Sequence, residues 1–177
     1  MRIIAGEWGG RRIRAPEGRE VRPTTDRIRE AWMGALGVSL VGADVLDLFA
    51  GSGALGLEAL SRGSQSATFV ERGRRPLEAL RANVAALEAE DRVRIVAGDA
   101  LQFLRTRSAD APAFDIALAD PPYDQGFASR LLAFFQERPF ARELWVEHRS
   151  KEELPALPGL RQRRYGDTTL TILEHRP

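Results

Sequence analysis

The chain has 177 residues, 44% of them hydrophobic and 29% charged, the balance of a single soluble domain with a core of ordinary size. It holds no cysteine and only two histidines, His148 and His175, which excludes disulfides, thiolate zinc sites, cysteine nucleophiles and cysteine-ligated iron–sulfur clusters. Net charge is +1, but residues 1–29 carry eight arginines against four acids, so the remainder is net acidic and a phosphate-rich partner is expected at the N-terminal end.

Arg2-Ile3-Ile4 and Arg12-Ile13-Arg14 flank three glycines, the pattern of a short β-hairpin or an irregular β segment. Arg22-Pro23-Thr24-Thr25-Asp26 then offers a proline stop and several N-cap residues. Ile28, Ala31, Trp32, Ala35 and Leu36 follow at the spacing of one helical face. From residue 43 strands and helices alternate. Strands are expected at 44–48, 67–70, 92–97, 114–119 and 144–147, and the clearest helix runs from about 74 to 87, with Leu77, Leu80, Val84 and Leu87 on one stripe. Such alternation predicts a largely parallel sheet with helices on both faces. Residues 161–165 and 168–173 around Gly166-Asp167 predict a terminal antiparallel hairpin.

The first expected strand runs into Asp47-Leu48-Phe49-Ala50-Gly51-Ser52-Gly53-Ala54-Leu55-Gly56, which contains a literal G-x-G-x-x-G. That string is the usual fingerprint of a dinucleotide-binding turn, though a tight structural turn explains an isolated match as well. Asp47 separates the ligands. A carboxylate there repels a pyrophosphate and welcomes an ammonium, and S-adenosylmethionine carries both an amino group and a sulfonium. Glu71, ending the second strand, suits ribose hydroxyls in either cofactor. Asp99, followed by Ala100 after the third strand, either accepts from an adenine amino group or simply caps a helix. A nicotinamide-dependent dehydrogenase also normally needs a substrate domain, for which this chain has little room.

Ala119-Asp120-Pro121-Pro122-Tyr123 follows the fourth strand. Read alone it is an ordinary Pro-Pro turn. Read with the glycine turn it has a specific chemistry. The prolines give a stiff segment without N–H donors. The Asp120 carboxylate and the Pro121 carbonyl are two acceptors for the two protons of one exocyclic amine, and Tyr123 is a flat face for a base. Gripping both protons favours a pyramidal nitrogen and aims its lone pair at a methyl donor, catalysis by positioning and electrostatics without a covalent intermediate.

With these motifs in place, the chain closely resembles the RsmD-type family, bacterial methyltransferases of small-subunit ribosomal RNA that modify a guanine N2. The resemblance covers nearly the whole chain. It is carried by Arg2-Ile3-Ile4-Ala5-Gly6 with Gly10-Arg11-Arg12, by 22–30 (RPTTDRIRE), by the glycine turn, by Asp120-Pro121-Pro122-Tyr123 and by Tyr165-Gly166-Asp167-Thr168. The N-terminal block is the most specific of these. One departure, Trp32-Met33-Gly34 where family members often read Phe-Asn, implies a change of packing.

The resemblance implies an α/β, class I S-adenosylmethionine-dependent methyltransferase (Rossmann-like) fold: a mixed seven-stranded sheet, helices on both faces, a C-terminal antiparallel hairpin and a small N-terminal β-hairpin extension. On that pattern residues 1–22 are the extension and 23–177 the methyltransferase domain. It implies S-adenosylmethionine as methyl donor and 16S rRNA within the 30S subunit or a late precursor as partner, with guanine 966 as target. By the same carry-over Thr24, Thr25, Asp47, Phe49, Gly51, Gly53, Glu71, Asp99, Ala100 and Asp120 line the cofactor site. Asp120, Pro121, Pro122 and Tyr123 form the catalytic base site, and Arg2, Arg11, Arg12 and Arg22 meet RNA phosphates, although Arg12 reads equally as a solvent-facing hairpin residue.

Without an apolar stretch of ~18 residues or the apolar segment of a secretory signal, a cytoplasmic protein with no membrane partner is expected. A monomer without bound metal is expected too. His148, at a strand end, either faces the site or packs, and packing is the expectation. Rival readings remain adenine-N6 or cytosine-N4 methylation, a release-factor glutamine methyltransferase (which usually has Asn where this chain has Asp120) and a non-catalytic ribosome-assembly module.

Overall fold

The computed structural model describes residues 1–15, 24–108, 110–111 and 113–175, and of Thr24 and Thr25 the backbone alone. Arg22, and the boundary expected at residues 22–23, lie outside the described residues. The elements are helix α1 (Thr24–Leu36), strand β1 (Asp44–Leu48), α2 (Ala54–Ser61), β2 (Ser66–Glu71), α3 (Arg74–Leu87), β3 (Val93–Ala97), α4 (Ala100–Thr106), β4 (Phe114–Ala119), α5 (Phe127–Glu137), β5 (Ala141–Arg149), β6 (Arg161–Tyr165) and β7 (Thr168–Glu174).

The seven strands form one sheet in the order β3-β2-β1-β4-β5-β7-β6. β3 through β5 are parallel, and β7 runs antiparallel between β5 and β6. β1 lies centrally with its last four residues buried, as a parallel strand covered on both faces requires. The order reverses between β1 and β4, which are paired through Leu48↔Ala119. Chain leaving these two strands departs to opposite sides, and the crevice between is where such sheets hold ligands.

One core packs α1, α2 and α3 against the sheet, through Trp32, Leu57, Leu60, Leu80 and Val84 among others. The second packs α4 and α5 on the opposite face, through Leu104, Leu131, Leu132 and Phe135. Trp32 is fully buried, its ring 6.4 Å from that of Trp145 on β5. α3 forms where the apolar stripe predicts. Pro76 sits in its first turn, where a missing N–H leaves no bond unmade. β5 begins three residues before the expected strand and ends two after it. Arg142 is exposed and Glu143 partly so, and both are charged, so the apolar signal starts only at Leu144.

The N-terminal segment pairs with itself by one antiparallel bridge, Arg2 to Arg12, flanked by bonds from Ile3 N to Arg11 O and from Ile13 N to Met1 O. Its Ile3, Trp8 and Ile13 are buried in the first core. α2 grips this segment. The buried Glu58 carboxylate accepts from Ile4 N at 2.7 Å and Ala5 N at 3.0 Å, and from Arg62 Nε at 2.8 Å. Ser61 Oγ accepts from Trp8 N at 2.9 Å and donates to Ala5 O at 2.6 Å. Gly6 has φ +83°, and a Cβ there would meet Ser61 O at 1.9 Å, so only glycine permits this approach.

Candidate active site

The glycine turn joins β1 to α2 at the switch point. Phe49 takes φ +61°, rare outside glycine, and its ring meets Phe127 edge-on at 5.0 Å. Gly53, at φ +87°, is the residue before α2, and a Cβ on it would strike Leu80 Cδ1 at 2.4 Å. Gly51 differs. At φ +59° a Cβ would meet nothing within 4 Å, so the turn leaves open space above its backbone. Gly53 is fixed by packing, whereas Gly51 leaves room for a ligand to approach.

Three carboxylates stand at or near the carboxyl ends of β1, β2 and β3. Asp47 is 1% exposed, and its Oδ2 accepts from Gly56 N at 2.9 Å, which ties β1 to the first turns of α2. Burial pushes its pKa up to about 8. The Gly56 N–H opposes the rise, and the charges of Asp120 and Glu71 add to it. A cation arriving here relieves an unfavourable state. Glu71 accepts from Gly51 N at 2.8 Å and from Gly73 N at 2.6 Å. It thereby locks the glycine turn to the end of β2, and a carboxylate has acceptor sites beyond these two. Asp99 caps α4, accepting from Gln102 N at 2.9 Å through Oδ1, while Oδ2 lies 4.0 Å from Arg72. The helix-cap reading of Asp99 thus accounts for one of its oxygens. Ala100 is buried behind it.

Across the crevice, Asp120 is exposed at the end of β4, Pro121 is buried, and Pro122 and Tyr123 are partly exposed. The Tyr123 hydroxyl donates to Glu147 Oε1 at 2.6 Å and lies 3.4 Å from Thr168 Oγ1. Burial, then the Glu147 carboxylate, raises the phenol pKa, so the hydroxyl stays a donor at all ordinary pH. The Arg149 guanidinium lies over the Tyr123 ring, 5.0 Å from its centroid. His148 is buried, with Nε2 2.7 Å from Thr171 Oγ1 and Nδ1 2.8 Å from Arg149 O, a packed and hydrogen-bonded residue as expected.

Of the N-terminal arginines, Arg2, Arg11 and Arg12 are exposed on the surface of the docked segment. Arg11 also donates to Ala86 O at the end of α3, and the Arg2 carbonyl accepts from Arg29 at 2.6 Å. Sequence reading passed over Glu147, Arg149 and Asn83. Glu147 and Arg149 look like ordinary alternation in a strand, and only the parallel pairing of β5 with β4, through Ala119↔Val146, carries them beside Asp-Pro-Pro-Tyr. Asn83 is a single polar residue in an apolar stripe, the one signal that was legible.

This strand order, with a glycine turn after β1 and Asp-Pro-Pro-Tyr after β4, defines the class I S-adenosylmethionine-dependent methyltransferase fold. The model of the family described as Conserved hypothetical protein 95 matches residues 1–174. The chain is 37% identical over 162 residues to Ribosomal RNA small subunit methyltransferase D of Escherichia coli (strain K12), covering 90% of this chain and 80% of that one. It belongs to this family, the RsmD family. Among solved structures, the putative methyltransferase yhhF of Escherichia coli superposes with a TM-score of 0.84 at 35% identity, covering 97% of this chain and 96% of that one. A hypothetical protein of Thermus thermophilus, TTHA0928, gives 0.81 at 29% identity and 99% of both chains.

Proposed function

We propose that this protein methylates the exocyclic N2 of a guanine in 16S rRNA, guanine 966 by family resemblance, within the 30S subunit or a late precursor in the cytoplasm. The observation that carries the reading is the register Leu48↔Ala119. It sets the glycine turn and Asp-Pro-Pro-Tyr side by side at the carboxyl ends of neighbouring strands, one motif for a methyl donor and one for an amine.

The residues fit S-adenosylmethionine. Gly51 leaves open space at the turn, and Asp47 is a buried carboxyl whose charged form needs a cation. Asp47, with Thr24 and Thr25, takes the amino-acid end. Phe49, Gly51 and Gly53 shape the cradle, Glu71 accepts from the ribose, and Asp99 and Ala100 border the adenine. Bound there, the cofactor supplies an electrophilic methyl group on a sulfonium. Asp120 and the Pro121 carbonyl hold the two amine protons and orient the nitrogen lone pair in line. The positive charge that develops on nitrogen is stabilised by the Asp120 carboxylate, and Pro122 keeps the segment stiff. Tyr123 stacks on a guanine that has left its helix, the general solution for enzymes acting on bases. Arg2, Arg11, Arg12 and Arg22 contact phosphates and position the RNA without reading sequence.

The test is transfer from labelled S-adenosylmethionine to 30S subunits, naked 16S rRNA and duplex DNA, followed by nucleoside analysis. N2-methylguanosine from the particle is the expected product. Methylated adenine or cytosine would keep the chemistry and overturn the target. Asp120→Ala should abolish turnover while leaving cofactor affinity in place, and a variant that still methylates would refute the amine-gripping role.

A further inference from the structure

Arg149 ends β5 and stands beside the candidate base site. Its guanidinium lies over the Tyr123 ring, and its Nε donates to Asp124 Oδ2 at 3.0 Å. Asp124 takes φ +59°, a left-handed conformation that costs a non-glycine residue energy and is kept where surrounding structure requires it. This conformation presents the carboxylate to Arg149. Tyr123 is itself fixed, its hydroxyl held by the buried Glu147. Guanidinium, aromatic ring and two carboxylates therefore form one ordered cluster next to Asp120.

The geometry points to Arg149 as the residue that selects guanine, a step that rests on the function proposed above. A base that stacks on Tyr123 enters the layer in which the guanidinium already lies. Groups in one layer meet edge to edge. With Nε engaged by Asp124, the edge Arg149 turns to a ligand is the Nη1/Nη2 pair, two parallel N–H donors. Guanine O6 and N7 are the matching pair of acceptors, and bidentate arginine is the commonest specific contact to them. They lie on the side of the base away from N2, so Asp120 and Pro121 can hold the amine while Arg149 holds the opposite edge. Adenine offers an amino donor where guanine has O6, and an arginine edge meets it donor to donor. Lysine has the charge but not the fork.

The substrate that probes this contact is 2,6-diaminopurine, which keeps the reacting 2-amino group, replaces O6 by an amine and removes the N1 hydrogen, so the share due to Arg149 is the part of the preference lost in its variants. Particles would be reconstituted with guanine or diaminopurine at the target position. They would be compared under kcat/KM conditions for wild type, Arg149→Lys and Arg149→Met. Arg149 is partly exposed, so both variants should fold. Wild type should prefer guanine by roughly 5- to 150-fold, the discrimination of one bidentate pair. In Arg149→Met most of this preference should be lost and in Arg149→Lys part of it kept, since an ammonium still donates to O6 or N7, with affinity for S-adenosylhomocysteine unchanged. Preference retained in Arg149→Met at an undiminished rate would place the discrimination elsewhere and overturn the assignment. So would an equal loss on both bases with the ratio intact. Absence of N2-methylguanosine from the guanine particle with wild-type protein would instead overturn the functional reading and this assignment together.

Discussion

The side-chain amide of Asn83 on α3 donates to the Ser52 carbonyl at 2.9 Å and to the Arg14 carbonyl at 3.0 Å, while its Oδ1 accepts from Arg14 N at 2.6 Å. One buried side chain thus joins the glycine turn to the end of the docked N-terminal segment. The cofactor cradle and the arginine-bearing segment share a rigid support. Asn83→Ala leaves the buried Ser52 carbonyl and the Arg14 backbone groups without this partner, each worth about 1–3 kcal/mol when unsatisfied. We expect a loss of about 2–4 kcal/mol of stability, seen as a lower urea midpoint with unchanged slope. Affinity for S-adenosylhomocysteine should fall as well. A variant of wild-type stability would show that Asn83 does not support the turn.

Gly51 and Gly53 should respond differently to the same substitution. Both have positive φ, so alanine costs each roughly 1–2 kcal/mol of backbone strain. Gly53→Ala also drives a methyl into Leu80, whereas at Gly51 the methyl enters open space. Gly51→Ala should therefore stay folded, its midpoint lowered by that strain alone, and lose cofactor affinity by tenfold or more. Gly53→Ala should lose stability first. Thermal melts with and without S-adenosylhomocysteine separate the two, and equal ligand-induced shifts for Gly51→Ala and wild type would contradict a cofactor at this turn.

Much of this fold was legible because period and position agree. α3 is an apolar stripe of helical spacing between polar neighbours, and it forms over Arg74–Leu87 as read. β1 runs into a glycine turn and β4 into Asp120-Pro121-Pro122, so their termini mark the crevice in the sequence itself. The docking of the N-terminal segment was not legible. Glu58 and Ser61 read as polar residues of a short helix, and nothing local says that their partners are backbone groups more than fifty residues earlier. The N-terminal segment pairs through a single bridge because the N–H groups of Ile4, Ala5 and Arg14 bond to side chains of α2 and α3. Pairings of this kind are long-range and involve backbone, which carries no sequence identity.

Glu147 acts through Tyr123. Its carboxylate is buried and accepts the phenol hydrogen at 2.6 Å, a charge-assisted bond worth about 1.5–3 kcal/mol. Tyr123→Phe and Glu147→Met, each of which removes the bond, should each lower kcat by about tenfold if a loosely held ring misplaces the base, with cofactor affinity unchanged. The double variant should be hardly worse than either single one, because both remove the same bond. Additive losses would mean that Glu147 has a separate role. Restoration of kcat at raised RNA concentration would mean that the bond serves binding rather than orientation.

Asp47 makes stability and cofactor binding depend on pH in opposite directions. Burial raises its folded pKa to about 8, above the ~3.9 of an unfolded chain. Between these values the folded protein holds more protons than the unfolded one. The contribution of this group to stability is therefore full below about pH 4 and is lost as pH rises through 8. A ligand ammonium reverses the preference by stabilising the carboxylate, so binding below pH 8 expels a proton. Between pH 6 and 7.5, where an α-amino group stays mostly charged, the affinity for S-adenosylhomocysteine should rise with pH, approaching tenfold per unit. Calorimetry in two buffers of different ionisation enthalpy should register close to one proton released. Asp47→Asn keeps an acceptor oxygen for Gly56 N and cannot ionise. It should abolish the proton release, flatten the pH dependence and weaken binding. Buffer-independent enthalpies in the wild type would show that the ammonium is held elsewhere and that Asp47 serves only to tie β1 to α2.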